Sequence, residues 1–213
     1  LKIINFLIDN LAHNYYQNEK IVLRERIPTL KVEHIFEAAL TKTNINFRDF
    51  LEKEKIKVSL GSINITAGIL HEDKLYFANN GKNKVMLLYR QKTSDQPKGA
   101  HEHGKKYEIS DITKKTEDKT AANNKLFSNV ISGEIPPRSY FLLSNEALPE
   151  YISNRQILDI VTTLPPASTV EQIKNTVTKI NSFVPFLGII IKSIQVHHQE
   201  AAATTTDKSS TQA

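Results

Sequence analysis

The chain has 213 residues, 39% of them apolar and 24% charged, with a net charge of +5 and no cysteine. That length and balance fit one compact domain with a sizeable core. The missing thiols exclude disulfide staples, thiolate nucleophiles and cysteine-held zinc or iron–sulfur centres. The positive excess is mild and dispersed, as in Glu52-Lys53-Glu54-Lys55, and no basic stripe with interleaved aromatics marks a nucleic-acid surface. The longest apolar run, 183–194, is broken by Pro185, Gly188 and Lys192 and is too short to cross a bilayer. Asp9 and His13 interrupt the opening apolar stretch, so no signal peptide is read there. A cytoplasmic protein is expected, with no membrane insertion and no nucleic-acid partner. The chain begins at Leu1 and its only methionine is Met86, which reads as a piece of a longer or processed product.

Along the chain, Ile4, Leu7, Ile8, Leu11 and Tyr15 recur at three- and four-residue steps and predict an amphipathic helix. A second helix is expected over Val32–Leu40 and a weaker third over Phe47–Lys53, with a polar loop containing Pro28 at 17–31. From Ile63 the period changes to two: Ile63, Ile65, Ala67 and Ile69 alternate with polar or small residues, as in a half-buried strand. His71-Glu72-Asp73 reads as a turn into a strand at Leu75–Ala78. Asn80-Gly81 is the favoured hairpin signal and predicts that Val85–Tyr89 returns beside it, making a three-stranded antiparallel meander. A short strand is expected at Tyr107–Ile109 between polar loops, and a buried strand at Ser139–Ser144.

Two helix starts carry capping-box spacing, Ser153…Gln156 and Ser168…Glu171. Their apolar stripes are Ile157, Ile160, Val161 and Leu164, then Val170, Ile173, Val177 and Ile180. A last strand is expected over Gly188–Val196. Residues 1–196 read as one domain and 197–213, rich in Ala, Thr, Ser and Gln, as a disordered tail or linker. The predicted class is α+β, with antiparallel strands and helices covering the outer faces.

Several stretches then carry a resemblance. "TAGILHEDKLYFANNGKNKVMLLY" (66–89), "GEIPPRSYFLLSNEALPEYIS" (133–153) and "FVPFLGIIIKS" (183–193) resemble, in order and spacing, segments of the PP2C (PPM-type) metal-dependent protein phosphatases. The resemblance implies an α-β-β-α sandwich of antiparallel sheets flanked by helices. It also implies a site for two Mg²⁺ or Mn²⁺ ions, held by aspartates, which activate a water for attack on phosphorus. Hard divalent cations need carboxylate oxygens to offset their dehydration, and two of them clamp nucleophile and leaving group.

At the positions matching those aspartates the chain departs from the pattern. The turn aspartate falls at Lys82, the Ser-Asp-Gly aspartate at Asn145 with Glu146 in place of the glycine, and the closing aspartate near Pro185. The family's earlier Arg…Glu-Asp and Asp-Gly-His-Gly-Gly motifs have no counterpart. The resemblance therefore predicts a degenerate, catalytically inactive member that binds no metal and serves as a binding or regulatory module for a protein partner within a larger protein. Lys82, Lys84 and Glu146 are its candidate binding residues. Two other readings stand beside it: an active serine/threonine phosphatase using Mg or Mn, with further ligands upstream of Leu1, and a structural or oligomerisation scaffold.

Other chemistry finds less support. His101-Glu102-His103 and His197-His198 read as solvated loop and tail rather than metal ligands. Asn80-Gly81-Lys82 lacks the remainder of a P-loop, and Ser144 lacks the Gly-x-Ser-x-Gly context of an activated nucleophile.

Overall fold

The computed structural model describes residues 1–17, 31–90, 107–115 and 125–194. Two helices come first, α1 (Lys2–Tyr16) and α2 (Val32–Lys53), followed by strands β1 (Ile65–His71), β2 (Lys74–Asn80) and β3 (Lys84–Arg90). Then come β4 (Tyr107–Asp111), β5 (Ile131–Glu134) and β6 (Tyr140–Ser144). Three helices, α3 (Ala147–Tyr151), α4 (Asn154–Thr163) and α5 (Pro166–Ile180), lead to the last strand, β7 (Gly188–Lys192).

The strands form two antiparallel sheets, ordered β1-β2-β5 and β4-β3-β6-β7. Side-chain alternation along the central strands builds three apolar layers from this arrangement. Ala67, Tyr76 and Ala78 face α1 and α2, where they meet Leu7, Phe36, Leu40 and Phe47. Phe77, Val85 and Phe141 fill the space between the sheets. Met86, Leu88, Tyr140 and Leu142 face the second helical layer at Leu148, Ile157, Val161, Ile173 and Val177. Strands covered on both faces carry near-continuous apolar runs, which is why "VMLLY" and "YFLLS" show no polar alternation. The expected α-β-β-α sandwich is the observed fold.

Three expectations need correction. Asn80-Gly81 does not close a β-hairpin: β2 belongs to the first sheet and β3 to the second, so the turn is a corner between sheets. The meander therefore stops after two strands, and the true hairpin is β1–β2, turning at Glu72-Asp73 with Glu72 at φ 53°. The corner is fixed by amides. Asn80 Nδ2 donates to the carbonyls of Leu60 and Ile63, at 2.8 and 2.7 Å, and Asn64 Oδ1 accepts from the Lys82 amide at 2.9 Å. Gly81 sits at φ 81°, and a Cβ there would lie 2.1 Å from Asn64 Oδ1 and 2.9 Å from the Ile63 carbonyl. Both the backbone conformation and the space demand glycine.

The second correction is that Val32–Lys53 is one helix, not two. Asparagines between the two expected segments make tertiary hydrogen bonds. Asn44 Oδ1 accepts from the amides of Leu126 and Phe127, and its Nδ2 donates to the Phe127 carbonyl. Asn46 Nδ2 donates to Asn10 Oδ1 on α1. The third concerns α5, which starts at Pro166 with no side-chain cap, so Ser168…Glu171 is not a capping box. Proline suits a helix's first position because its missing N–H has no intrahelical partner there. The Ser153…Gln156 box forms in full. Strand β5, unforeseen, pairs with β2 from Lys74↔Glu134 to Phe77↔Ile131.

Candidate functional site

The corner after β2 and the turn after β6 lie at the same end of the sandwich. Register places Lys84 opposite Ser144, and β7 begins with Gly188 opposite the same serine. Lys82, Lys84, Asn145, Glu146 and Pro185, separated by up to 103 positions in sequence, are thus gathered at one end.

Within the gathering, the residues pair with one another. Lys82 Nζ lies 3.1 Å from Glu146 Oε2, joining the inter-sheet corner to the residue that opens α3. The Lys82 side chain is 74% exposed and that of Glu146 40%, so this pair sits in water and its energy is small. Asn145 Nδ2 donates to the Pro185 carbonyl, and the Asn145 amide donates to the Leu187 carbonyl at 3.1 Å. These two bonds hold the segment before β7 against the end of β6. Ser144 Oγ and Asn145 Oδ1 are buried atoms with no hydrogen-bond partner among the described residues.

Lys84 has a carboxylate that the sequence did not point to. Its Nζ lies 3.4 Å from Asp111 Oδ2 at the end of β4, with side chains 29% and 23% exposed. Asp111 Oδ1 also accepts from the Thr113 amide at 3.0 Å and from the Thr113 hydroxyl. The signal, an Asx turn in "DIT" following a strand, is local. That it faces Lys84 follows from the pairing Met86↔Asp111, which no pattern in either segment announces.

This donor set does not fit a two-ion centre. The positions matched to family aspartates supply an ammonium, a neutral amide and a proline; the neighbouring carboxylates, Glu146 and Asp111, already face Lys82 and Lys84. Among the described residues no three His, Asp or Glu side chains gather as a cation would need. The cluster can instead exchange partners: a carboxylate or phosphate competing with Glu146 would find Lys82, and one competing with Asp111 would find Lys84. The histidines at 101, 103, 197 and 198 and the expected tail lie outside the described residues.

No protein-family model matches the sequence, and no curated protein matches it. Solved structures do. The Mycobacterium tuberculosis serine/threonine phosphatase PstP/Ppp aligns at a TM-score of 0.57 with 14% identity, over 91% of this chain and 82% of that one. PppA of Pseudomonas aeruginosa, a regulatory component of T6SS, aligns at 0.54 with 12% identity, over 90% and 78%. Serine-threonine phosphatase 2C from Toxoplasma gondii aligns at 0.52 with 10% identity, over 88% and 78%. The fold is that of the PP2C-type serine/threonine phosphatases. At such identities the likeness is one of architecture. No described helix is long and apolar enough to cross a membrane.

Proposed function

We propose that this chain is a PP2C-fold module without metal-dependent phosphatase activity, which binds no cofactor and acts in the cytoplasm as a binding or regulatory domain of a larger protein. The observation that carries this reading is the Lys82–Glu146 pair at 3.1 Å. An ammonium stands where the resemblance expects a carboxylate, and it repels the cations that a carboxylate would hold. Asn145 adds a dipole but no charge, and Pro185 adds only a backbone carbonyl, engaged by the Asn145 amide. Without anions to compensate dehydration, Mg²⁺ or Mn²⁺ has no reason to leave water here.

The same end of the fold is the surface on which a protein partner would dock. Lys82, Glu146 and Lys84 offer two ammoniums and a carboxylate on well-anchored turns, and an acidic segment of the partner would displace Glu146 from Lys82. Hydrolysis of an aryl phosphate in saturating Mn²⁺, with and without chelator, tests the reading. Rates equal to the uncatalysed reaction in both are expected; chelator-sensitive turnover that survives repurification of the protein would overturn it.

A further inference from the structure

Asn80-Gly81 is the one Asn-Gly pair in the chain, and besides its shape it carries a chemistry of its own. The asparagine carboxamide is tethered close to the next backbone nitrogen, and glycine, lacking a Cβ, leaves that nitrogen unshielded. When the Gly81 nitrogen gives up its proton and attacks Asn80 Cγ, the Cγ–Nδ2 bond breaks. The departing nitrogen takes up a proton and leaves as ammonia. Water then opens the cyclic imide at either carbonyl, giving aspartate or isoaspartate. Nothing is oxidised or reduced, and water is the only co-reactant.

The fold gives the atoms of that reaction a second role. The leaving group, Asn80 Nδ2, is the donor that binds the carbonyls of Leu60 and Ile63, at 2.8 and 2.7 Å. Gly81 is exposed, so base reaches its nitrogen, whereas Asn80 is half-buried at the end of β2 and paired with Ile65. Swinging the carboxamide onto the Gly81 nitrogen breaks both of its bonds. The far side of the corner is anchored as well. Asn64 Oδ1 accepts from the Lys82 amide at 2.9 Å, and Asn83 Nδ2 donates to Thr66 Oγ1 at 3.3 Å. Ring closure therefore requires the corner to open first, a local unfolding step.

We propose that Asn80 is a conformationally gated deamidation site, protected while the corner between the sheets is closed, reactive when it opens, and unable to rebuild the corner once converted. The products account for the last step. A carboxylate in place of the carboxamide turns an oxygen toward the Leu60 and Ile63 carbonyls, which are acceptors too, so two bonds become two repulsions. Isoaspartate adds a methylene to the main chain beside Gly81, where a Cβ would already lie 2.1 Å from Asn64 Oδ1. The corner has no slack for it. Conversion also frees the neighbouring Lys82 from its place opposite Glu146. It thereby acts as a one-way switch on the candidate docking end, a consequence that rests on the docking reading, whereas the gating does not.

Ageing the intact chain in mildly alkaline buffer, native and in concentrated urea, reads the gate. The tryptic peptide 75–82 is followed by mass spectrometry, with fragment ions separating Asn80 from Asn79. Conversion at Asn80 is expected to be at least about tenfold slower in the native arm, because only the open fraction reacts. This wild-type comparison needs no variant to fold. Asn64→Ala leaves the reacting atoms untouched but removes the acceptor of the Lys82 amide; it is expected to raise the native rate severalfold and leave the urea rate unchanged. Asn80→Asp, one of the two products, is expected to speed hydrogen exchange across 60–84 while the amides of α4 and β6 stay protected. Equal rates in native buffer and urea would overturn the proposal. So would a native rate unmoved by Asn64→Ala, or wild-type exchange at the corner of Asn80→Asp.

Discussion

Lys82 and Lys84 are two residues apart, yet their surroundings give them different weight. The Lys82–Glu146 pair is held between mostly exposed side chains, and such pairs contribute about 0–1 kcal/mol. The Lys84–Asp111 pair is more enclosed, and Asp111 also accepts from the Thr113 amide and hydroxyl. Urea unfolding should therefore separate them: Lys82→Ala costs less than about 1 kcal/mol, whereas Asp111→Ala costs about 1.5–3 kcal/mol through lost charge-assisted bonds. Equal costs would mean that burial is not what distinguishes the two pairs. The same residues predict a gain of property. Lys82→Asp combined with Asn145→Asp would place two new carboxylates beside Glu146, and the double variant should show Mn²⁺-dependent thermal stabilisation that wild type lacks.

At the scale of elements, the corner between β2 and β3 shows what a sequence can and cannot announce. The turn residues Asn80-Gly81 and the flanking strands were legible, because alternation and glycine's conformational freedom are local properties. Whether the second strand folds back beside the first or crosses to another sheet is decided by Asn64 and by β6, which captures Lys84–Leu88. Those partners are distant in sequence, so the local signal misled. The same cause joined the helices expected at 32–40 and 47–53: Asn44 and Asn46, between them, bond to Phe127 and Asn10, which are distant in sequence. The candidate site was legible only through ordered resemblance, since no local pattern brings Lys82 to Glu146 or Lys84 to Asp111. Gly81→Ala tests the corner. The forced positive φ and the clash with Asn64 Oδ1 should cost about 1–3 kcal/mol, more than Lys82→Ala at the adjacent position. A neutral Gly81→Ala would show that the corner relaxes freely.

For the whole molecule, the sandwich is built in three apolar layers that do not involve the candidate site. Phe36, Phe47, Leu88, Ile157 and Ile173 are each no more than 1% exposed, and none touches the Lys82 end of the fold through the hydrogen bonds or ion pairs described. Fold and chemistry are separable here. None of the buried core residues named is a candidate-site residue, so the side chains at Lys82, Asn145 and Pro185 can differ without changing those layers. The proposed loss of activity requires that wild type have no place for the two cations. Isothermal titration of the intact chain with millimolar Mn²⁺ measures this most directly. Heats of dilution alone are expected; a saturable isotherm approaching two ions per chain would overturn the proposed inactivity.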